Sequence, residues 1–363
     1  MDGVTYQSVM TPEVVGSGVL ADDPFVLVDV GCGLGIESLW RVFEPSLRVE
    51  AFDPQLAEIE RLREAETNPA VHYHAALVGL PDDHPYNVQR AQDAGREAPL
   101  DLWPRLSTRD AIAAATSAGP TDLEETNDWE RRTLATEKVE LAAALAGNEI
   151  SNVDFVKTDT DGADLEILLS LEPAIDRLGV LGFLVETPFV GSELETSHTF
   201  HNVDRFMRRH GFMLHTLTVN RYSRSALPAP FVYRLLAQTT WGQAIWGDVV
   251  YLRDGGLSET RLAPTKLLKL ACLAELFLAP DVAAEILLVH RASLAPLVPV
   301  DRLLDLLTPA LDGEQVSYTE YVAAFKADPT SFYPAEPAET DVVAQTEHPA
   351  HPIGSRLKRA VGR

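Results

Sequence analysis

The sequence predicts an α/β fold: a mostly parallel sheet with helices on its faces, followed by a helical extension. Three observations predict it. Short, β-branched-rich apolar runs alternate with amphipathic stretches between residues 24 and 79. A glycine-rich turn, "DVGCGLG" at 29–35, opens directly from the first of those runs. Beyond Asp254 the strand-like runs stop, and leucine- and alanine-rich helical patterns replace them.

Taken in order, "PFVLVDV" (24–30) is a continuous apolar run ending at glycine, the pattern of a buried parallel strand. "IESLWRVF" (36–43) has helical spacing, with Ile36, Leu39, Trp40 and Phe43 on one face. "LRVEAFD" (47–53) is a second strand, and "PQLAEIERLREAE" (54–66) an amphipathic helix with proline in its first turn. "VHYHAALVG" (71–79) reads as a third strand. Strand–helix–strand alternation of this kind builds a parallel sheet.

From about 81 to 148 the pattern weakens into polar, turn-rich sequence with alanine-rich pieces at 108–118 and 135–146, an insertion and cover region. Order returns with "VDFVKTD" (153–159) as a strand, "GADLEILLSL" (162–171) as a helix and "GVLGFLVET" (179–187) as a strand. "VDRFMRRHG" (203–211) is then a helix, with "FMLHTLTVNRY" (212–222) and "GDVVYLRD" (247–254) as the last strands. The expected organisation is an N-terminal segment 1–20, a main domain 21–255, a helical extension 256–330 and a flexible tail 331–363 rich in proline and acid.

Composition excludes several classes of function. Among 363 residues the net charge is −24, so a nucleic-acid backbone or an anionic membrane is repelled rather than bound. The two cysteines, Cys32 and Cys272, form neither a disulfide framework nor a metal-spacing motif. No signal peptide and no apolar run of ~18 residues is present, so stable membrane insertion is not expected and a cytoplasmic protein is.

The glycine turn carries the first chemical inference. Gly31, Gly33 and Gly35 let the backbone after the strand approach a ligand at the carboxyl ends of parallel strands. The dinucleotide fingerprint needs a glycine where Ile36 stands, which argues against a nicotinamide or flavin cofactor. The form acid-x-Gly-x-Gly-x-Gly, with Asp29 at the strand end, suits S-adenosylmethionine, a ligand with an amino group and a sulfonium but no phosphate. Asp53 closes the next strand, where its carboxylate accepts hydrogen bonds from ribose hydroxyls. Cys32 packs beneath the ligand, and Pro54 after the second strand, Ala76 on the third and Asp159 at the end of the fourth complete the cofactor-binding set. The competing reading makes the turn a packing device and Asp53 a helix cap before Pro54.

"FVLVDVGCGLGIESLW…VEAFDP", then "VDFVKTDTDGADLEILLSL", "LGFLVETPF" and "WGDVVYLRD", together resemble the FkbM-type S-adenosylmethionine-dependent methyltransferases over about residues 20–255. Where that family usually has Asp-x-Glu-Gly, this chain has Asp159-Thr160-Asp161-Gly162. The resemblance implies a Rossmann-like, seven-stranded class I methyltransferase sheet whose last strand is antiparallel. It implies methyl transfer, commonly to a hydroxyl of a sugar or polyketide-type acceptor. It covers neither 81–148 nor the C-terminal helices.

An alcohol acceptor must lose a proton, so a base near the sulfonium is expected. In this fold the ends of the fourth and fifth strands face the methyl group, which selects Asp159, Asp161 and Glu186 as candidate catalytic residues. A like-charge pair raises one pKa and suits proton transfer. Asp161 is equally placed to cap the helix opening at Gly162, and Asp159 to order the loop. The same carboxylates are oxygen donors of the kind magnesium takes, yet no third ligand stands out and no metal is assigned. His198 and His201 fall in the loop after the fifth strand; His198 is a candidate base, although histidines in polar loops are more often structural. Arg221, Tyr222 and Arg224 are possible acceptor contacts, and Lys157 a partner for nearby carboxylates.

The expected function is O-methylation of a saccharide or a glycan or glycolipid precursor, with the acceptor as partner and the C-terminal helices available for homo-oligomerisation. The alternative is a methyltransferase-like scaffold in a polysaccharide assembly complex without turnover.

Overall fold

The computed structural model describes residues 8–94, 134–135, 138–222 and 238–333. Its strands are β1 (Phe25–Val30), β2 (Leu47–Asp53), β3 (Val71–Ala75), β4 (Leu77–Val78), β5 (Lys138–Val139), β6 (Phe155–Thr158), β7 (Gly182–Pro188), β8 (Phe212–Leu217), β9 (Asn220–Tyr222), β10 (Gln238–Thr239) and β11 (Gln243–Arg253). The longer helices are α1 (Met10–Gly16), α2 (Leu56–Ala65), α3 (Pro85–Asp93), α4 (Leu141–Gly147), α5 (Asp164–Leu171) and α6 (Phe200–Arg209). They continue with α7 (Pro264–Leu276), α8 (Pro280–Val289), α9 (Val300–Leu307) and α10 (Tyr318–Ala327).

Among the described residues the main sheet has nine strands in the order β3-β2-β1-β6-β7-β11-β9-β10, with β8 also pairing β11. The β1–β6, β2–β3 and β6–β7 pairs are parallel, and β11 runs antiparallel to β7. This is the expected mostly parallel sheet with antiparallel last strands, enlarged by the short β9 and β10. The strand order reverses direction between β1 and β6, and ligands of such sheets bind beyond the carboxyl ends of strands at that reversal. β1 is buried along its whole length, as its unbroken apolar run predicts.

Two compact units are distinguished. One comprises Val26–Ile36 and Arg48–Leu252, and the other Met1–Phe25, Glu37–Leu47 and Arg253–Arg359, each in its described part. The first holds the sheet and a core including Val28, Val156, Leu168, Phe183, Val203 and Met207. Here α5 is buried at every position but Leu169, so its polar residues need internal partners.

The second unit explains a departure from the predicted helix 36–43. Only Trp40–Phe43 winds, as one 3₁₀ turn. Residues three apart eclipse in that geometry, and the Trp40 and Phe43 rings both meet Phe25, at centroid distances of 6.1 and 3.9 Å. Trp40 also meets Phe277 edge-on. The apolar spacing was real; a packed aromatic cluster used it without a helix. In the same unit the buried Glu275 carboxylate accepts the backbone N–H groups of Val9, Met10 and Thr11, satisfying the start of α1.

The third predicted strand is broken at Ala76, and its second half, β4, pairs with β5 in a separate small sheet. Of the predicted helical pieces in the insertion, 108–118 lies outside the described residues, and α4 forms within 135–146 and one residue beyond. No described helix is long and apolar enough to cross a membrane.

Candidate active site at the carboxyl ends of β1, β6 and β7

Parallel pairing sets Asp29 opposite Lys157, and β6 beside β7 brings the segments after Thr158 and Val185 together. Lys157 is 2% exposed; its ammonium lies 3.1 Å from Asp29 Oδ1 and 3.6 Å from Asp159 Oδ2. Asp29 is fully buried, and its other oxygen, Oδ2, has no hydrogen-bond partner. Burial raises its carboxyl above the ordinary value, with Lys157 opposing the rise.

The glycine loop lies directly against Asp159. A methyl group at Gly31, whose φ is +89°, would run into the Asp159 carbonyl oxygen. A methyl group at Gly33 would stand 3.0 Å from Asp53 Oδ2. Close packing of the loop on its own strands therefore accounts for these glycines in part, as the competing reading supposed. Asp53 is 5% exposed, and its Oδ1 accepts the Gln55 N–H at 2.8 Å, so it turns the chain into α2. Pro54 accepts the Ala135 N–H, and the Ala76 N–H donates to the Asp53 main-chain carbonyl, so both are tied to the backbone around the end of β2. Cys32 is 2% exposed; burial, then the charges of Asp29 and Asp53, push its thiol far above the ordinary range, which suits packing and not nucleophilic chemistry.

Glu186, at the end of β7, is hydrogen-bonded to Asp159. Two carboxyl groups share a hydrogen bond only when one carries a proton. Burial first, then Asp159 and the charges of Asp161 and Asp164, push the Glu186 carboxyl far above its ordinary value. Glu186 is thus the protonated partner at neutral pH. Its Oε2 is buried without a partner. The Asp159 side chain is 23% exposed.

Asp161 is exposed and sits in left-handed backbone, φ 54°. It does not cap the following helix, whose N-cap is Ala163, without a side-chain cap. The ordering role falls instead to Asp164, which sequence reasoning missed. Its Oδ2 accepts from Thr160 Oγ1 at 3.0 Å and stands 3.5 Å from His198 Nε2. Asp164 is fully buried, its Oδ1 has no partner, and burial raises its carboxyl, with His198 the largest opposing influence. An acid in the first turn of a helix buried nearly all round was the available signal.

His198 Nε2 lies 3.0 Å from the Glu186 carbonyl oxygen, to which it donates when Nε2 carries the hydrogen. Its side chain is 8% exposed, and burial lowers its pKa, so the ring is neutral near pH 7. Nδ1 is left without a partner. His201 is exposed in the first turn of α6, apart from this cluster. Arg221 donates to the Gly242 carbonyl, while Tyr222 is buried and accepts from Trp246 Nε1 at 3.1 Å. Arg224 lies outside the described residues.

Unpartnered buried atoms of Asp29, Asp164, Glu186 and His198 thus gather around three strand ends, in an arrangement rich in hydrogen-bond acceptors. The residues fit an adenosyl sulfonium compound, which brings hydroxyl and ammonium donors and a positive charge, better than they fit a pyrophosphate. A cavity of about 640 Å³, lined by Tyr86, Asp93, Leu165 and Phe206 among others, lies on the helical layer instead. Its Tyr86, Thr196 and Asp93 hydrogen-bond to one another's segments. Among the described residues no group of three or more His, Cys, Asp or Glu is placed to hold a metal ion.

Residues 35–214 match the methyltransferase FkbM domain, a match that starts at the last glycine of the loop and runs into β8. No curated protein matches the sequence. Similar solved structures include precorrin-6y C5,15-methyltransferase from Geobacter metallireducens, at 12% identity and TM-score 0.30, covering 70% of this chain and 93% of that one. A TehB-like SAM-dependent methyltransferase from Corynebacterium glutamicum aligns at 9% identity and TM-score 0.27, covering 68% and 89%. Human methyltransferase-like protein 13, in complex with SAH, aligns at 10% identity and TM-score 0.28, covering 78% and 90%. With that match falling on β6, β7 and the turn after β6, residues 35–214 form a methyltransferase FkbM domain, the kind that works with S-adenosylmethionine.

Proposed function

We propose that this chain methylates a hydroxyl group of a saccharide, or of a glycan or glycolipid precursor, in the cytoplasm. The observation that carries the reading is the hydrogen-bonded Asp159–Glu186 pair at the ends of β6 and β7, directly beside the glycine loop. Methylation of a hydroxyl, unlike that of a free amine, needs a group to take a proton as the new bond forms. S-adenosylmethionine supplies an electrophilic methyl group on a sulfonium.

Everything else falls to the chain's own side chains. Asp53 receives the ribose hydroxyls, Asp29 Oδ2 faces the donor's ammonium, and Gly31, Cys32, Gly33, Gly35, Pro54 and Ala76 shape the surrounding wall. Asp159, held by Lys157, takes the hydroxyl proton together with Glu186, the carboxyl group beside it, which keeps water from the buried side of the pair. His198 positions Glu186 through its backbone carbonyl, and Asp161 meets acceptor hydroxyls at the rim. A crevice with several carboxylates and one buried, already paired lysine favours a neutral sugar ring at the methylated hydroxyl, with any phosphate of the acceptor held away from it.

The test is a tritiated-methyl screen over nucleotide sugars and lipid-linked glycans, with wild type and Asp159→Asn. Label is expected on oxygen, and turnover in the variant is expected to fall by ~100-fold or more, the scale of general-base catalysis. Donor affinity should change less than about threefold. Equal losses in turnover and donor affinity would make Asp159 structural, and label on nitrogen or carbon would overturn the O-methylation reading.

A further inference from the structure

We propose that the Asp159–Glu186 pair is a proton-linked charge reader: it releases its shared proton when the sulfonium donor binds, and takes the acceptor's hydroxyl proton when the methyl group leaves. The inference rests on the donor reading above and deepens the role of the same site. Three geometric facts support it. Asp159 and Glu186 directly follow Thr158 and Val185, which are paired across parallel β6 and β7, so the two acids sit at adjacent positions on neighbouring strands. Asp159 is pressed against the glycine loop through its carbonyl, next to the donor's place. Glu186 Oε2 is buried and unpartnered, so the pair has an acceptor to offer.

The surroundings set the balance. Lys157 faces Asp159 from β6; Asp161 and Asp164 add negative charge from the turn and α5; Tyr222 on β9 and the neutral His198 add none at pH 7. With one cation among these acids, Glu186 retains its proton. A sulfonium brought beside the pair removes the reason to retain it. During transfer the acceptor O–C bond forms, the C–S bond breaks with its electron pair left on sulfur, and the hydroxyl proton passes to the pair. The neutral thioether product and a singly protonated pair then restore the starting charge.

S-adenosylhomocysteine has the same adenosine, ammonium and carboxylate but no sulfonium, so comparing the two ligands isolates this effect. The experiment is calorimetric titration of the full chain with each ligand at pH 7.5, in Tris and in phosphate, whose ionisation enthalpies differ. S-adenosylmethionine should release about one proton more than S-adenosylhomocysteine. Between pH 6.5 and 8.5 the affinity ratio should rise towards tenfold per pH unit, and in Glu186→Gln it should be flat. Equal proton release by both ligands in the wild type would overturn the inference while leaving the donor reading intact, whether or not the variant folds. Binding of neither ligand would overturn the donor reading, and the inference with it.

Discussion

At the scale of single residues, Glu186 has a consequence for stability as well as for chemistry. Its folded-state pKa is raised above the ordinary 4.5, chiefly by burial. The sign follows directly: the stability this group contributes is fully present below about pH 4.5, and is lost as pH rises towards the folded value, because the unfolded chain ionises while the folded one does not. Glutamine imitates the protonated acid and does not titrate. Urea unfolding of Glu186→Gln should therefore match wild type near pH 4.5 and become more stable relative to it as pH rises to 8, by up to ~1.4 kcal/mol per pH unit. A constant difference across that range would mean that Glu186 ionises normally. Asp29, Asp53, Asp159 and Glu186 were legible in the sequence because each ends, or nearly ends, a recognisable apolar run. The pairing between them was not, since it depends on which strands lie side by side. Asp164 escaped notice because an acid in a first helical turn is ordinary until the helix proves to be buried nearly all round.

At the scale of elements, the glycine turn does two things that separate variants can distinguish. Gly31 has a left-handed φ and faces the Asp159 carbonyl, whereas Gly18, at φ +79°, has nothing within 4 Å of an added methyl group. Alanine at Gly18 meets only the backbone penalty, ~1 kcal/mol. Alanine at Gly31 must also separate the loop from the end of β6, so thermal unfolding should show a loss of ~3 kcal/mol or more, with weakened donor binding. If the two variants lost equal stability, the loop would not be packed on Asp159 as described. The strand assignments were readable from β-branched runs, and the direction of the last strands from resemblance. What periodicity could not show was the span 36–43, where i, i+3 aromatic spacing serves a 3₁₀ turn as well as a helix. Nor could it show the break at Ala76, after which β4 leaves the main sheet for β5, some sixty residues further along the chain.

Over the whole molecule, charge is the property that reaches furthest, and it bears on the same ligand comparison. The chain carries a net charge of −24, S-adenosylmethionine is a net monocation and S-adenosylhomocysteine is neutral overall. Two sources favour the cation: the carboxylates of the crevice, close and partly buried, and the summed field of the remaining acidic surface. Salt separates them, because screening acts over ~10 Å at 0.1 M and ~3 Å at 1 M, and affects exposed charges far more than buried pairs. Raising NaCl from 0.05 to 1 M at fixed pH should lower the ratio of donor to product affinity by roughly three- to tenfold if the surface field contributes. An unchanged ratio would assign the whole preference to Asp29, Asp159 and their neighbours. Glu186→Gln sharpens the contrast: it should abolish the pH dependence of that ratio and keep its salt dependence, since it removes the titrating proton and leaves every fixed charge where it was. Loss of both dependences together would mean that the variant had disturbed the crevice itself.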